Sequence, residues 1–358
     1  MATTIPEKPE AAKVEAKAAG TTGNSDGKVE VVPADGSRGE AIRYHEDDKL
    51  GPLGAKVSAL WDPTDLRKML VREFNAAVTK AKEAASSVDH GATIAVHEAR
   101  KALRRARAVL SMVSGALPKG ERRAVRAALQ EARRSLSTAR DHAVAPETLA
   151  SIALSDEDRT TAKRVLDNAA EALPPTKELK QLLAEAATRA AAQAEALEAA
   201  LPQELPWKVV VDGIKDVYAD ARDARRKGKK SKAWFHTWRR RSKELVYQLE
   251  LVAEHAGARL HAIHEELEGI ANTQSPAVDL IMLREFVNTY AQGIQSDAVE
   301  HLRDSIEIAL DDLMTAARDA GRDAYSQRPK RFAKRLSKAM KRDLTPPDDA
   351  DLSTELAD

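Results

Sequence analysis

Two short segments of the sequence repeat one arrangement of basic residues behind a histidine. In each copy, basic residues stand three, four and seven positions after the histidine, and the copies are 139 residues apart. The members are His97, Arg100, Lys101 and Arg104 in the first copy, and His236, Arg239, Arg240 and Lys243 in the second. Arginine offers phosphate oxygens a planar fork of donors, lysine supplies a mobile point charge, and histidine titrates near neutral pH. The arrangement therefore indicates a binding site for an anion.

Helical geometry places each histidine and its basic partners on one face. Successive residues of an α-helix turn by about 100°, so positions three, four and seven apart are neighbours. The opposite face is apolar in both copies, with Leu103 and Leu110 in the first and Trp238, Leu245 and Leu249 in the second. Each segment thus predicts an amphipathic helix with one side for the core and one cationic side.

The simplest alternative is that these cationic faces are only solvated, as most charged helix faces are. Solvated faces usually mix both signs, because like charges four residues apart weaken a helix by a few tenths of a kcal/mol. Here Arg100 precedes Arg104 by four residues and Arg239 precedes Lys243 by four, and no acidic residue lies between the members of either pair. Repulsion repeated in two places favours anion binding over a solvated face.

Other basic residues are also aligned at helical spacing. Three such stripes are Arg122, Arg126, Arg133 and Arg140; Tyr218, Arg222, Arg225 and Lys229; and Arg328, Arg331, Arg335, Lys338 and Arg342. Residues one helical turn apart are separated by about 5.4 Å along the axis. Several stripes of this kind suit a linear chain of phosphates better than one compact ligand.

The net charge of +1 conceals a strongly uneven distribution. Residues 97–140, 222–243 and 322–342 together carry a net charge of +27, so the other 271 residues carry −26. Three basic blocks in an acidic remainder favour an anionic partner.

The periodicity between the chain ends is helical throughout, so the sequence predicts an all-α fold of about ten helices. The repeated motif divides it into two pseudo-symmetric helical bundles, residues 59–203 and 204–343, joined near Pro202 and Pro206. We expect a disordered tail at residues 1–58, which contain few large apolar side chains, and an acidic disordered tail at 344–358.

Several classes of function are disfavoured. The chain has no cysteine, which excludes disulfide bonds, thiolate metal sites and a cysteine nucleophile. No run of about eighteen apolar residues predicts a membrane span, and the first residues lack the apolar core of a secretory signal, so we expect a cytoplasmic protein. His255, His261 and His264 do not share a helical face, and Gly228-Lys229-Lys230-Ser231 lacks the earlier glycine of a phosphate loop. We therefore expect no metal, cofactor or catalytic residue.

The two histidine segments resemble the CHAD domain, the conserved-histidine α-helical domain family. The resemblance rests on residues 96–107 and 235–250, on Ala139-Arg140-Asp141 followed by Val144, and on Arg328-Pro329-Lys330-Arg331-Phe332. It extends over roughly residues 60–342. Two departures are present: Ala277-Val278-Asp279 stands where the family usually has His-Asp, and Ser137-Thr138 stands where Leu-Gly is usual.

This resemblance implies two four-helix bundles around a basic cavity that binds inorganic polyphosphate without catalysis, with some members attached to polyphosphate granules. The binding side chains would be the eight residues of the two motifs together with Arg133 and Arg140. From the helical stripes and the other matching segments we add Arg107, Arg126, Arg222, Lys229, Tyr247, Lys330 and Arg331 to the expected polyphosphate contacts.

Three other functions stay open at this point. A nucleic acid is also a phosphate chain, but the basic helices have few aromatic residues for stacking and few Asn or Gln for base recognition, so it is the less favoured ligand. A structural coat protein of storage granules would use the Ala- and Lys-rich residues 1–45 for attachment. An enzyme would have to release orthophosphate from long chains.

Overall fold

Apolar residues at helical spacing produce a chain of α-helices with short connections. The structure is a computed structural model that describes residues 63–229, 231–253 and 258–343, and this part contains twelve α-helices, one short 3-10 helix (Val88–His90) and no β-strand. The first six helices are α1 (Pro63–Ser86), α2 (Ala92–Met112), α3 (Lys119–Arg134), α4 (Ser137–Ala150), α5 (Asp156–Glu171) and α6 (Thr176–Ala200). The next six are α7 (Trp207–Lys227), α8 (Lys232–Ala253), α9 (Ala258–Thr273), α10 (Ser275–Tyr290), α11 (Ser296–Ala320) and α12 (Pro329–Asp343). The all-α prediction is confirmed.

The apolar faces of α2 and α8 fix the direction in which their cationic faces point. Leu103 and Leu110 of α2 are buried, as are Trp238, Leu245 and Leu249 of α8. Burying a side chain of this size contributes about 1.5–3 kcal/mol, so rotating either helix about its axis would be costly. The basic residues on the other side of each helix are consequently held away from the hydrophobic core.

Proline and serine mark several helix starts. Pro118, Pro175 and Pro206 directly precede α3, α6 and α7, where the missing N–H leaves no hydrogen bond unmade. Ser155 precedes α5, and its hydroxyl accepts a hydrogen bond from the backbone N–H of Asp158 at 3.0 Å. These ends agree with the breaks expected from the sequence.

The helices of the two halves pack in the same pattern. In the first half, α1 and α3 both pack against α2 and α6; in the second half, α7 and α9 both pack against α8 and α12. The motif helices α2 and α8 also pack against each other and so join the two groups. The groups correspond to the two four-helix bundles anticipated from the sequence and account for eight of the twelve described α-helices.

The other four helices form a third group that the two-bundle interpretation did not include. Helix α4 packs against α5 and α10, and α11 packs against α5 and α10. Each half therefore contributes two helices to a shared group, which buries their apolar faces against the opposite half. The division at residues 203 and 204 falls in the connection between α6 and α7, whereas the expected tails at 1–58 and 344–358 lie outside the described residues.

Contacts between α2 and α8 are reciprocal. Arg105 of α2 forms an ion pair with Glu250 of α8, and Glu244 of α8 accepts a hydrogen bond from Ser111 of α2 at 2.7 Å. Adding 139 to the number of Arg105 gives Glu244, and adding 139 to Ser111 gives Glu250. The second contact is therefore the first with the halves exchanged, which is what a two-fold relation produces.

Helix α7 approaches α2 closely at Gly213. A methyl group at this position would lie 2.7 Å from Cα of Met112 and 2.7 Å from the carbonyl oxygen of Ser111. We expect Gly213→Ala to lower the free energy of unfolding by about 2–3 kcal/mol, because two backbones would have to separate. The matched substitution Gly269→Ala, in an exposed position of α9 with no atom within 4 Å, should instead raise it by about 0.5–1 kcal/mol. Urea denaturation followed by circular dichroism compares the two, and equal midpoints would contradict the close approach.

Candidate anion-binding site

Cationic side chains from both halves meet where α2 and α8 pack together with α3 and α4. They are close enough for the charge of each to perturb the titration of at least one other. We call these twelve residues the central cluster: His97, Arg100, Lys101, Arg104, Arg107, Arg126, Arg133, Arg140, His236, Arg239, Arg240 and Lys243. The structure thus brings together twelve of the seventeen residues that the sequence suggested as ligand contacts.

Residues at the middle of the cluster are substantially removed from water. Burial, followed by the charges of Arg133 and Arg140, lowers the pKa of Arg100 to about 9. Burial and then the charge of Arg104 lower the pKa of Arg239 to about 10. Both values lie well above neutral pH, so these guanidinium groups keep their charge and repel one another.

Lys243 is the group whose charge is most sensitive to pH. Its side chain is half-buried on α8, and burial, followed by the charge of Arg239, lowers its pKa to about 8. The charge of Arg104 lowers the pKa further, whereas Glu268 and Glu250 oppose the shift. Lys243 is therefore mostly charged at pH 7 and mostly neutral above pH 9.

The two motif histidines are held in their neutral form near neutral pH. Burial and then the charge of Arg240 lower the pKa of His236. His97 is exposed, but surrounding protein still desolvates its ring, and this effect and the charge of Arg104 lower its pKa as well. An anion placed beside either ring would favour the protonated form and raise its pKa.

Four cations of the cluster have only neutral partners among the described residues. Arg100 donates to the carbonyl oxygen of Arg133 at 3.1 Å, and Arg104 donates to the carbonyl oxygen of Arg100 at 3.3 Å. Arg239 donates to Oγ of Ser275 at 2.7 Å, and Lys243 donates to Oδ1 of Asn272 at 2.9 Å. These groups are oriented by hydrogen bonds, yet no carboxylate of the described residues lies within ion-pair distance of them.

Other basic residues nearby are neutralised. Arg140 forms ion pairs with Asp141 at 3.0 Å and with Asp279 of α10. Arg241 contacts Glu244 at 2.7 Å and Asp220 at 2.9 Å. The structure therefore separates paired from unpaired cations, a distinction that helical spacing alone does not make.

Glu244 is the buried acid that anchors this surface to the core. Burial alone would raise its pKa, but the charges of Arg241 and Arg107 and the hydrogen bond from Ser111 outweigh that effect and lower it. The Gln248 amide also donates to Oγ of Ser111 at 3.0 Å, which extends the network between α8 and α2. The carboxylate thus stays charged and fixes the position of the neighbouring arginines.

Five residues suggested by the sequence lie outside the central cluster. Tyr247 is buried, with the Arg105 guanidinium 6.0 Å from its ring centre. Arg222 donates from Nε to the carbonyl oxygen of Tyr325 at 3.1 Å. Lys229 is exposed beyond the end of α7, and Lys330 and Arg331 are exposed on α12. No hydrogen bond or ion pair within the described ranges joins these five to the cluster.

The sequence did not reveal the neutral residues that orient the cations. Asn272 and Ser275 lie at the end of α9 and the start of α10, more than thirty residues beyond the motif that they support. Asp279 could have been noticed, because it lies 139 residues after Arg140, the same offset that separates the motif copies. Without the structure, that offset does not show that the two side chains touch.

The site offers electrostatic binding and hydrogen-bond donors. In the described residues no group of three or more His, Asp or Glu side chains is placed to hold a metal ion. Among the same residues no helix combines the length and apolarity needed to cross a membrane. The chemistry of the cluster is that of a receptor for an anion with several oxygens.

Comparison with known proteins agrees with this architecture. The model of the CHAD domain family matches residues 72–288, more than half of the chain. The crystal structure of the CHAD domain from the plant Ricinus communis superposes with a TM-score of 0.55 and 17% sequence identity, covering 78% of this chain and 98% of that chain. No match is found among curated proteins. The family match covers both histidine motifs and the structural match extends over most of the described helices, so the chain belongs to the CHAD domain family.

Proposed function

We propose that the chain binds inorganic polyphosphate through the central cluster, without converting it chemically. The observation that supports this proposal best is the set of four cations that have only neutral partners: Arg100, Arg104, Arg239 and Lys243. Crowding like charges in a half-buried place is unfavourable unless an anion compensates them. A polyanion that fills the site supplies that compensation and should stabilise the fold in proportion to its affinity.

The extent of the cluster favours a chain of phosphates over a single phosphate. From Arg100 to Arg107 the basic face of α2 rises about 10 Å, and from His236 to Lys243 that of α8 rises about as far. Because α2 and α8 pack against each other, the two faces supply cations from both halves to one region. One orthophosphate ion would reach only a few of these donors.

The experiment that tests the proposal is calorimetric titration of the full chain with long-chain polyphosphate at two salt concentrations. Duplex DNA and tripolyphosphate serve as competitors. We expect tight binding that weakens at the higher salt concentration and is barely displaced by DNA. A parallel assay for orthophosphate should detect no steady release from the bound polymer.

Each other result would contradict a definite part of the proposal. Equal competition by DNA would mean that the cluster is an unselective basic surface, which would favour the nucleic-acid alternative. Steady orthophosphate release in the presence of a divalent metal would indicate an enzyme. The absence of any binding would mean that the cationic faces are only solvated.

A further inference from the structure

The exposed side of α12 is a second cationic surface, apart from the central cluster. It consists of five exposed side chains that we call the α12 face: Lys330, Arg331, Lys334, Arg335 and Lys338. The other side of the helix is apolar, and Phe332, Leu336 and Met340 are buried there. Because the apolar side is already packed against the protein, the α12 face can attract partners only by charge.

Comparison with the other half shows that the fold does not require these charges. Helix α6 occupies the position in the first half that α12 occupies in the second, since it packs against α1 and α3 as α12 packs against α7 and α9. Yet α6 contains three basic and four acidic residues, whereas α12 contains seven basic residues and one acidic residue. The same packing role is therefore filled by a helix of nearly balanced charge.

The charges of the α12 face are also poorly compensated. Lys330 and Lys334, and Lys334 and Lys338, are like charges four residues apart, each pair weakening the helix by a few tenths of a kcal/mol. Among the described residues the ion-pair partner of this face is Glu266, which contacts Arg335 at 3.2 Å. The surface is therefore suited to an acidic occupant.

An acidic segment of the same chain follows α12 directly. Residues 344–358 contain five acidic residues and no lysine or arginine. Pro346 and Pro347 disfavour continuation of the helix into this segment. Fifteen extended residues span about 50 Å, and α12 is about 22 Å long, so the acids can reach every residue of the α12 face.

We propose that residues 344–358 fold back and dock on the α12 face through ion pairs. Attachment to the end of α12 keeps the acidic segment at a high effective concentration, so weak individual pairs suffice. The docked segment neutralises the surface and lowers its attraction for external polyanions. Docking itself does not depend on polyphosphate binding by the central cluster.

Because the chain has no cysteine, two spin labels can be placed on the full-length protein without removing native thiols. We choose Ser326→Cys, an exposed position just before α12, and Ser353→Cys in the acidic segment. Docking would bring the labels within about 25 Å, whereas a segment directed away from α12 would place them about 50 Å apart. Pulsed electron paramagnetic resonance measures this distance distribution.

Three comparisons decide the result. The short distance should be lost in 1 M salt, in the triple variant Lys330→Gln/Lys334→Gln/Lys338→Gln, and in a variant with the five acids changed to amides. The matched control Lys80→Gln/Lys82→Gln, on exposed positions of α1, should keep it. A short distance that persists in all three, or a broad long distribution in the unmodified sequence, would overturn the proposal.

A second measurement separates the acidic segment from an external ligand. Acetylation rates of Lys330, Lys334 and Lys338, read by mass spectrometry, should rise when the five acids are changed to amides. If these rates are unchanged by the amide variant but fall when polyphosphate is added, the α12 face belongs to an external polyanion and the docking proposal is wrong. Loss of polyphosphate binding at the central cluster would leave both readouts intact.

Discussion

Reversing the charges of Arg104 and Lys243 together should lower the affinity for long-chain polyphosphate by about 100-fold or more, with helical content unchanged. The two residues occupy equivalent positions of the repeated motif, and the charge of Arg104 reaches both Lys243 and Arg239. Arg104→Glu/Lys243→Glu therefore places two negative charges where the cations of both halves converge. A hydrogen bond to a charged group contributes about 1.5–3 kcal/mol, and two such contacts would be replaced by repulsion.

The control for this experiment must change the net charge by the same amount elsewhere. Lys80→Glu/Lys82→Glu does so on the exposed face of α1, and neither lysine is among the charges that act on the cluster. Titration calorimetry and circular dichroism of both double variants compare affinity and folding. If the two variants lose affinity equally, binding depends on net charge and not on the central cluster.

Raising the pH from 7 to 9 should weaken polyphosphate binding by up to about tenfold. The pKa of Lys243 in the free protein is lowered to about 8, so its ammonium group is mostly lost over this interval. A bound polyanion favours the ammonium form and raises that pKa, so binding takes up a proton and is opposed by rising pH. The lowered pKa values of His97 and His236 predict further proton uptake below pH 7.

Lys243→Arg is the variant that isolates this effect, because arginine keeps its charge throughout the interval. We expect its affinity to change little between pH 7 and 9, while the unmodified sequence loses affinity. Calorimetry in buffers of different ionisation enthalpy counts the protons taken up on binding. An identical pH dependence in both proteins would show that Lys243 is not the titrating group.

The local features of the site were readable because they depend on helix geometry. The histidine and basic residues of each motif repeat at helical spacing, so their common face could be derived without knowing the fold. The offset of 139 residues likewise indicated that Arg104 and Lys243 are equivalent. Neither inference required any contact between distant parts of the chain.

The helical grouping could not be derived in the same way. Helices α4, α5, α10 and α11 have apolar faces like the others, and nothing in those faces states that they pack with the opposite half. Their association depends on which surfaces stay uncovered after α1, α2, α3 and α6, and their counterparts, have packed. This is a property of the assembled fold.

The sequence by itself determined the helical class, the two cationic helix faces and their repetition, because each follows from side-chain type and a fixed angle per residue. Only the tertiary structure decided which cations are unpaired. Arg140 is neutralised by Asp279 on α10, whereas Arg239 is oriented by Ser275 at the start of the same helix. It also separated Lys330 and Arg331 from the central cluster. Charge compensation acts over a few ångströms in space, and those distances are set by packing between helices far apart in the chain.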